Sequence, residues 1–566
     1  MAERTVAPAQ ARATRVTGRN GAAPNEDSLP DGELTDDLLY QLLSSEIAFQ
    51  RGDWKTAFMA QLGAAQLTRD PRLARRAAEI ALSAKQAGEA LSAVRLWREL
   101  TPDSDEATQY YLGFILLGDD IGEARGILAQ RLVEARVLTR PVMILQTQRL
   151  LANAKNKPAA FALLETLLAP YADLPETHVA LAQNAFVNGD LVRANKEARI
   201  ALSIRPDSEM AALTLTQITP DKAAAAKVMT DFLAAYPNAV EVRIAYARTL
   251  VEQKQYDAAR TQFELLLKAQ PDSLTSLYAL GMLGVQTNEL PQAEKYLASY
   301  VTMLAANPDE ERDPSQALLV LAQIAEDRND SDAALKWLAR IDSGEGVFNA
   351  QLRRAQIIAK RGNLAEGRRL LQEISADGER EQVQVFLAEA QILREANQTS
   401  IAFTVLGDAL KRFPDNTDLL YDYAMAAEKA DNLAVMEKAL RRVIELAPAN
   451  QNAYNALGYS FAERNIRLPE AYTLVEKALA IAPDDPFIMD SLGWVQFRLG
   501  KLKEAEELLR RAYAARPDPE IAVHLGEVLW VRGQKADAEK FWRDASTKDP
   551  KNDTLKSTLA RLRVSL

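Results

Sequence analysis

The chain has 566 residues, of which 48% are hydrophobic and 26% are charged, and its net charge at pH 7 is −10. This acidic balance argues against a protein that holds nucleic acid through phosphate contacts. The absence of cysteine excludes disulfides, thiolate zinc sites and a cysteine nucleophile. No apolar run long enough to cross a bilayer occurs, so the sequence predicts no membrane-spanning helix.

The N-terminal segment 1–33 is rich in Ala, Arg, Pro, Gly and Asn and contains almost nothing large to bury. This composition predicts a disordered leader or tether, and the segment lacks the apolar stretch of a signal peptide. The first helix is predicted to begin near Thr35 and Asp36, which are good capping residues. Large apolar side chains follow them at helical spacing.

A small residue, replaced once by methionine, recurs along the chain at nearly regular intervals. The fifteen positions of this ladder are Ala57, Ala90, Ala124, Ala160, Ala194, Ala225, Ala259, Ala293, Ala334, Gly367, Ala402, Met436, Ala471, Ala505 and Ala538. Self-similarity at a fixed period is typical of repeat architectures, in which each unit buries its apolar face against its neighbours. The ladder therefore predicts one long solenoid.

Turn-forming residues keep fixed offsets from the ladder. Nine of the ladder positions have a proline twelve residues later in the sequence. Proline ends one helix and is tolerated at the start of the next. A glycine precedes five of the positions by five residues, at Gly52, Gly189, Gly362, Gly500 and Gly533. Glycine takes the left-handed conformation that commonly ends a helix, so each unit is predicted to be helix, tight turn, helix.

A second set of glycines lies inside the predicted first helices. Gly281, Gly458, Gly493 and Gly526 each follow a leucine, twelve or thirteen residues before a ladder position. A glycine within a helix costs about 1 kcal/mol relative to alanine, so its recurrence indicates a packing requirement. We expect the missing side chains to let the two helices of a unit approach closely.

The C-terminal units show the complete pattern. One unit contains, in order, Tyr454, Leu457, Gly458, Phe461, Ala471, Val475, Ala478 and Pro483. This order resembles the tetratricopeptide repeat (TPR), and the resemblance covers roughly residues 36 to 552. It implies an all-α fold, a right-handed α-solenoid of about 15 TPR-like helix-turn-helix repeats.

The longest interval of the ladder separates Ala293 from Ala334. The acidic, proline-flanked segment 307–315 supplies the extra length. The sequence therefore predicts an N-terminal TPR array at 34–306, an insertion at 307–315 and a C-terminal array at 316–552. A capping helix is predicted at 553–566.

No catalytic constellation is evident in the sequence. The two histidines, His178 and His524, have no partner cysteine and no histidine four residues away, and are interpreted as surface or packing residues. No glycine loop of the phosphate-binding kind occurs. Since the longest ladder interval leaves no room for a separate domain, we predict that the chain is not an enzyme and has no cofactor or metal site.

Stacked helix pairs create a concave surface that repeat proteins use for binding, and in TPR-like units the first helices line it. Candidate protein-binding residues on these helices are Asn455, Tyr459, Asp490, Trp494, Phe497, Arg498, Glu527 and Trp530. Tyrosine, tryptophan and arginine often dominate interface energies. The alternative is that Trp494, Phe497 and Trp530 pack against the neighbouring repeat.

A narrower resemblance involves the opening stretch LLYQLLSSEIAFQRGDWKTAF and the stretch LGYSFAERNIRLPEAYTLVEKAL. Both are similar to long bacterial TPR lipoproteins of the outer membrane, some of which act as protease adaptors. The resemblance implies protein or peptide partners, namely a carboxyl-terminal processing protease and its substrates. It implies a periplasmic, outer-membrane-associated location if a lipidated N-terminus has been removed from this chain. The alternative is a cytoplasmic TPR subunit of a multiprotein assembly.

Overall fold

The computed structural model describes residues 34–118, 121–309 and 312–566, so the predicted leader at 1–33 lies outside the described residues. Within these ranges every regular element is helical, with 31 α-helices and a short 3-10 turn at Ala169–Tyr171. None of the helices described is long and apolar enough to cross a membrane. The predicted all-α repeat solenoid is confirmed.

The described residues form two compact units, which meet in the sequence between Pro271 and Asp272. The helices of the first unit are α1 (Asp36–Gln50), α2 (Trp54–Thr68), α3 (Pro71–Ser83), α4 (Ala87–Leu100), α5 (Asp105–Leu117), α6 (Gly122–Glu134), α7 (Arg140–Ala152), α8 (Lys157–Leu168), α9 (Pro175–Val187), α10 (Leu191–Ile204), α11 (Glu209–Ile218), α12 (Lys222–Ala235), α13 (Val240–Glu252) and α14 (Tyr256–Ala269).

The second unit contains seventeen of the described helices. They are α15 (Leu274–Gln286), α16 (Leu290–Ala306), α17 (Ser315–Asp327), α18 (Ser331–Leu338), α19 (Val347–Lys360), α20 (Leu364–Gln372), α21 (Glu379–Glu395), α22 (Thr399–Arg412), α23 (Thr417–Lys429), α24 (Leu433–Leu446), α25 (Gln451–Glu463), α26 (Leu468–Ile481), α27 (Pro486–Arg498), α28 (Leu502–Ala515), α29 (Pro519–Val531), α30 (Lys535–Lys548) and α31 (Asp553–Leu562).

Each ladder position lies in the second helix of a pair, from Ala57 in α2 to Ala538 in α30. The described helices thus form fifteen pairs followed by α31, which agrees with the predicted number of repeats. Fourteen of the fifteen positions are buried, and Ala225 is half-buried. The ladder is therefore the line along which the second helix of each unit contacts its neighbours.

The five predicted turn glycines all have positive φ, between 78° and 95°. Glycine adopts this conformation without strain. At the same offset in other repeats Lys85, Asn288 and Asp431 also have positive φ, so glycine is favoured at this turn but other residues can take its place. In three of these turns the following residue caps the second helix: Asp53, Asp190 and Asn363 each accept a hydrogen bond from a backbone N–H three residues on. The predicted helix, tight turn, helix unit is confirmed.

The glycines inside first helices lie against the second helix of the same pair. A Cβ atom added to Gly458 would lie 2.5 Å from Cγ2 of Val475, and one added to Gly493 would lie 2.7 Å from Cγ of Leu509. Real Cβ atoms essentially never lie within 3.0 Å of such neighbours. The predicted close approach of paired helices is confirmed.

The predicted arrays have different limits from the two compact units. Residues 307–309 and 312–315 belong to the second unit, which begins at Asp272. Within it, Arg312 donates a hydrogen bond to Oγ1 of Thr275 at 3.2 Å. The division into arrays at 34–306 and 316–552 stays a prediction. At the other end of the unit, α31 buries Leu555 against the last helix pair.

Candidate functional site

A groove of about 910 Å³ lies in the second unit. Its walls are the first helices of four successive pairs, α17, α19, α21 and α23, together with the start of α25. The groove residues lie on first helices, at positions that the structure leaves exposed or half-buried.

The groove-lining residues repeat in the same register on three successive helices. Each helix places an amide at one fixed offset before its ladder position, a leucine three residues later and a glutamine four residues after that. Spacings of three and seven residues put side chains on one helical face. The amide row comprises Gln316, Asn349 and Gln384; the leucine row comprises Leu319, Leu352 and Leu387; the glutamine row comprises Gln323, Gln356 and Gln391.

The amide row is accessible and chemically unengaged. Gln316 and Asn349 are exposed and Gln384 is half-buried. Among the residues that the structure describes, none forms a hydrogen bond with any of these three side chains. Each carboxamide therefore offers two N–H donors and one carbonyl acceptor to the groove.

The glutamine row, by contrast, is held by hydrogen bonds within the protein. Gln356 donates to Oε1 of Gln391 at 3.3 Å, so the row is linked from α19 to α21. Gln391 donates to Oε1 of Glu395 at 3.0 Å, and Gln323 donates to Asp327 at 2.7 Å. These bonds fix the wall of the groove beside the half-buried leucine row.

The arginines of the groove are neutralised by carboxylates. Arg353 pairs with Glu326 of the preceding first helix, and Arg394 pairs with Asp422 of the next one at 2.9 Å. Asp418 is exposed at the place on α23 equivalent to the amide row, and no basic group of the described ranges pairs with it. The charges along α17, α19 and α21 are thus paired, and the unpaired charge of the groove is the carboxylate of Asp418 on α23.

The residues predicted for protein binding lie in the last repeats, on α25, α27 and α29. Asp490 and Trp494 surround His524, which is 1% exposed. Nδ1 of His524 lies 2.9 Å from Oδ2 of Asp490, and the Trp494 ring stacks on the imidazole with centroids 4.3 Å apart. The ring centroid of Tyr459 lies 6.1 Å from the imidazole centroid. These residues form a contact between three first helices.

Charged groups around this histidine oppose the effect of its burial. Burial lowers the pKa of His524, but the carboxylate of Asp490, with smaller contributions from Glu463 and Glu520, outweighs it and holds the pKa above 6.5. The Nε2 atom is buried and has no hydrogen-bond partner in the described part of the chain. The prediction that His524 is a surface or packing residue is confirmed, and the structure gives it an ionic partner.

Two of the predicted site residues form hydrogen bonds between the neighbouring first helices α25 and α27. Trp494 donates from Nε1 to Glu463 at 2.9 Å, and Arg498 donates to the carbonyl of Ala462 at 3.1 Å. Phe497 is half-buried beside Trp494. Packing is therefore the observed role of Trp494, whose side chain is 4% exposed.

Three further predicted residues lie at the edges of this region. Glu527 is 2% exposed and accepts a hydrogen bond from Arg561 at 2.6 Å. Trp530 packs against the buried Trp542 with ring centroids 5.5 Å apart, and Asn455 is half-buried. Partner binding by any of the eight residues stays a prediction.

Sequence reasoning missed the groove because it selected large aromatic and charged side chains from the best-matched repeats. Leucine and glutamine are common on helices and attract no attention singly. The signal was the recurrence of Gln316, Asn349 and Gln384 at one offset from the ladder, which only an alignment of the weaker repeats with each other makes visible.

Two stretches match models of the tetratricopeptide repeat, residues 221–283 in the chain's middle and 491–553 near its end, each crossing helix pairs of the kind described above. Over these two stretches the chain is similar to tetratricopeptide repeats. The TPR match at 491–553 includes Trp494, His524 and Trp530, and the amide row lies between the two matched stretches.

Two curated relatives are similar to parts of this sequence. A TPR repeat-containing protein of Pseudomonas aeruginosa is 41% identical over 207 residues, which are 37% of this chain and 35% of the relative. Cellulose synthase operon protein C of Pseudomonas fluorescens is 26% identical over 376 residues, 57% of this chain and 29% of the relative. The chain spans about a third of the length of the curated relatives it matches.

Solved TPR structures match shorter parts of the chain. A thermophilic TPR protein of Thermus thermophilus is 22% identical with a TM-score of 0.29, covering 32% of this chain and 99% of its own. A tetratricopeptide repeat protein of Parabacteroides merdae is 15% identical with a TM-score of 0.35, covering 44% of this chain and 99% of its own.

Proposed function

We propose that this chain is a non-catalytic scaffold that binds protein partners on its TPR helices, and that a partner segment lies in the groove of the second unit. The observation that carries the proposal is the identical register of the three rows on α17, α19 and α21. Repeated side chains along a concave surface offer the same contacts again and again to an elongated ligand. A small molecule would not require this repetition.

The finer form of the proposal is that the scaffold delivers bound proteins to a carboxyl-terminal processing protease in the periplasm. The similarity of the N-terminal and C-terminal stretches to outer-membrane TPR lipoproteins supports it. A groove that holds a partner segment extended also suits the delivery of that segment to a protease. The second candidate is a cytoplasmic TPR subunit of a multiprotein assembly, which would use the same groove.

Site-specific photo-crosslinking tests the proposal in the full chain. We would replace the exposed Asn349 with a photoreactive phenylalanine derivative, irradiate cells and identify the adducts by mass spectrometry. The matched control carries the same group at Gln292, which is exposed on the second helix α16. We expect protein adducts at position 349 that are absent at position 292. No adduct at 349, or the same adducts at both positions, would refute binding in the groove.

The adducts also separate the two candidate assignments. Periplasmic proteins and a carboxyl-terminal processing protease among them would support the delivery role, with cell fractionation placing the chain in the periplasm. Adducts drawn solely from one cytoplasmic assembly, with the chain in the same fraction, would refute that role and support the alternative.

A further inference from the structure

We infer that the groove recognises an extended, uncharged polypeptide segment through its backbone, with one leucine-sized side chain placed per repeat. This inference rests on the proposed function and names the chemistry of the ligand. It concerns the amide row, the leucine row and Asp418, and none of the residues predicted from sequence.

The chemistry of the amide row matches that of a peptide bond. A carboxamide and a peptide group carry the same donor and acceptor, so each can donate to and accept from the other without any charge. Gln316, Asn349 and Gln384 have these groups free, whereas the glutamine row is already bonded within the protein. The free amides are therefore suited to form hydrogen bonds with the main chain of a bound polypeptide.

The spacing of the helices determines which residues of a bound chain each repeat contacts. Packed helices lie about 10 Å apart, and an extended chain advances about 3.3 Å per residue. Successive first helices therefore meet a bound chain at about every third residue. At that interval Leu319, Leu352 and Leu387 each present a half-buried apolar surface beside a free amide.

Because the charged groups of the groove are paired with each other, they disfavour charged side chains along most of the ligand. Arg353 and Arg394 are neutralised by their own carboxylates, so a charged ligand side chain over the leucine row would lose water and gain no partner. Asp418 alone among the described groove residues offers an uncompensated charge, at the end of the amide row. The segment that fits is uncharged over three repeats and has a basic residue beside α23.

The probes are capped synthetic peptides of about twelve residues, the length that four helices accommodate at about 3.3 Å per residue. Each has leucine at every third position, serine elsewhere and a lysine at one end or the other, so that both chain directions are tested. A matched set has N-methylated peptide bonds between the leucines, which removes backbone donors but keeps every side chain. A third set replaces leucine with glutamate. Binding to the full chain is measured by fluorescence anisotropy.

We expect one of the leucine–lysine probes to bind, and both N-methylation and glutamate to weaken binding at least tenfold. The triple variant Gln316→Ala, Asn349→Ala, Gln384→Ala should weaken it by a similar factor. Asp418→Asn should reduce the affinity of the lysine probe to that of a probe with serine in its place. The control variant Gln292→Ala, Gln372→Ala changes two exposed glutamines on second helices and should bind as the parent does.

Weaker binding by the triple variant can be separated from misfolding. The amide side chains have no described hydrogen-bond partners to lose, so the triple variant should unfold at the same temperature as the parent. Undiminished binding of N-methylated probes would overturn backbone recognition while leaving a groove that binds protein. Failure of all probes, with crosslinks at position 349 retained, would overturn the ligand chemistry alone. Failure of both would overturn the proposed function as well.

Discussion

His524 is the residue whose surroundings differ most from an ordinary packing position. It is almost fully buried, lies 2.9 Å from the Asp490 carboxylate and stacks on Trp494. Removing one member of a buried ion pair leaves the other charge without compensation, at a cost of about 3–5 kcal/mol. We therefore expect His524→Asn to lower the free energy of unfolding by about that amount, measured by urea denaturation.

The same histidine makes stability depend on pH in a defined direction. Its folded-state pKa is raised above 6.5 by Asp490, Glu463 and Glu520. Its contribution to stability is therefore fully present below about pH 6.5 and is lost as the pH rises through the folded-state pKa. The difference in unfolding free energy between the parent and His524→Asn should shrink as the pH rises above about 6.5.

The double variant His524→Asn, Asp490→Asn provides the control for this measurement. With both groups uncharged, the local contribution to the pH dependence should disappear. A difference between parent and His524→Asn that stayed constant or grew with pH would show that the imidazole does not gain a proton on folding.

At the scale of the helix pair, the ladder is what keeps two helices in contact. Ala505 in α28 is fully buried beside Gly493 of α27, where an added Cβ would meet Leu509 and the Ala505 carbonyl oxygen. Overpacking such a contact typically costs about 1–3 kcal/mol. Ala505→Leu should therefore lower the thermal unfolding temperature.

The matched control is Ala514→Leu, which adds the same side chain at an exposed position of the same helix. Exposed substitutions generally change stability by less than about 0.5 kcal/mol. Equal unfolding temperatures for the two variants would mean that the Ala505 position tolerates volume and that the ladder has another cause.

Helix pairs were predictable from sequence because their determinants recur at fixed offsets. The close contact at Gly458 depends on a residue without a side chain, and the turn at Gly52 favours a residue that takes positive φ easily. The groove depends instead on which first-helix face stays uncovered after packing. Trp494 is of a residue type that is common in binding sites, yet neighbouring helices bury it. Asn349 is of a residue type that is common on any helix surface, and it lies exposed. Burial of that kind is a property of the assembled repeats.

At the scale of the whole molecule, stability should be local. Each repeat contacts mainly its neighbours, so the stability of a solenoid is approximately a sum of repeat and nearest-neighbour terms. Hydrogen exchange read by mass spectrometry should show that Ala505→Leu reduces protection in α25 to α31 and leaves residues 34–271 at parental protection. Loss of protection throughout the chain would instead show that the two compact units unfold as one cooperative body.

The common register of the amide and leucine rows has a consequence for how this protein can diversify. Deleting or duplicating one whole helix pair removes or adds one amide and one leucine. The amides and leucines of the other repeats keep their positions relative to one another. Ligand length would then change in steps of about three residues, the extended-chain length that one repeat spans. On the proposed binding mode, affinity would also change in discrete steps, so gain or loss of a repeat in the gene would change the length of polypeptide that the groove binds.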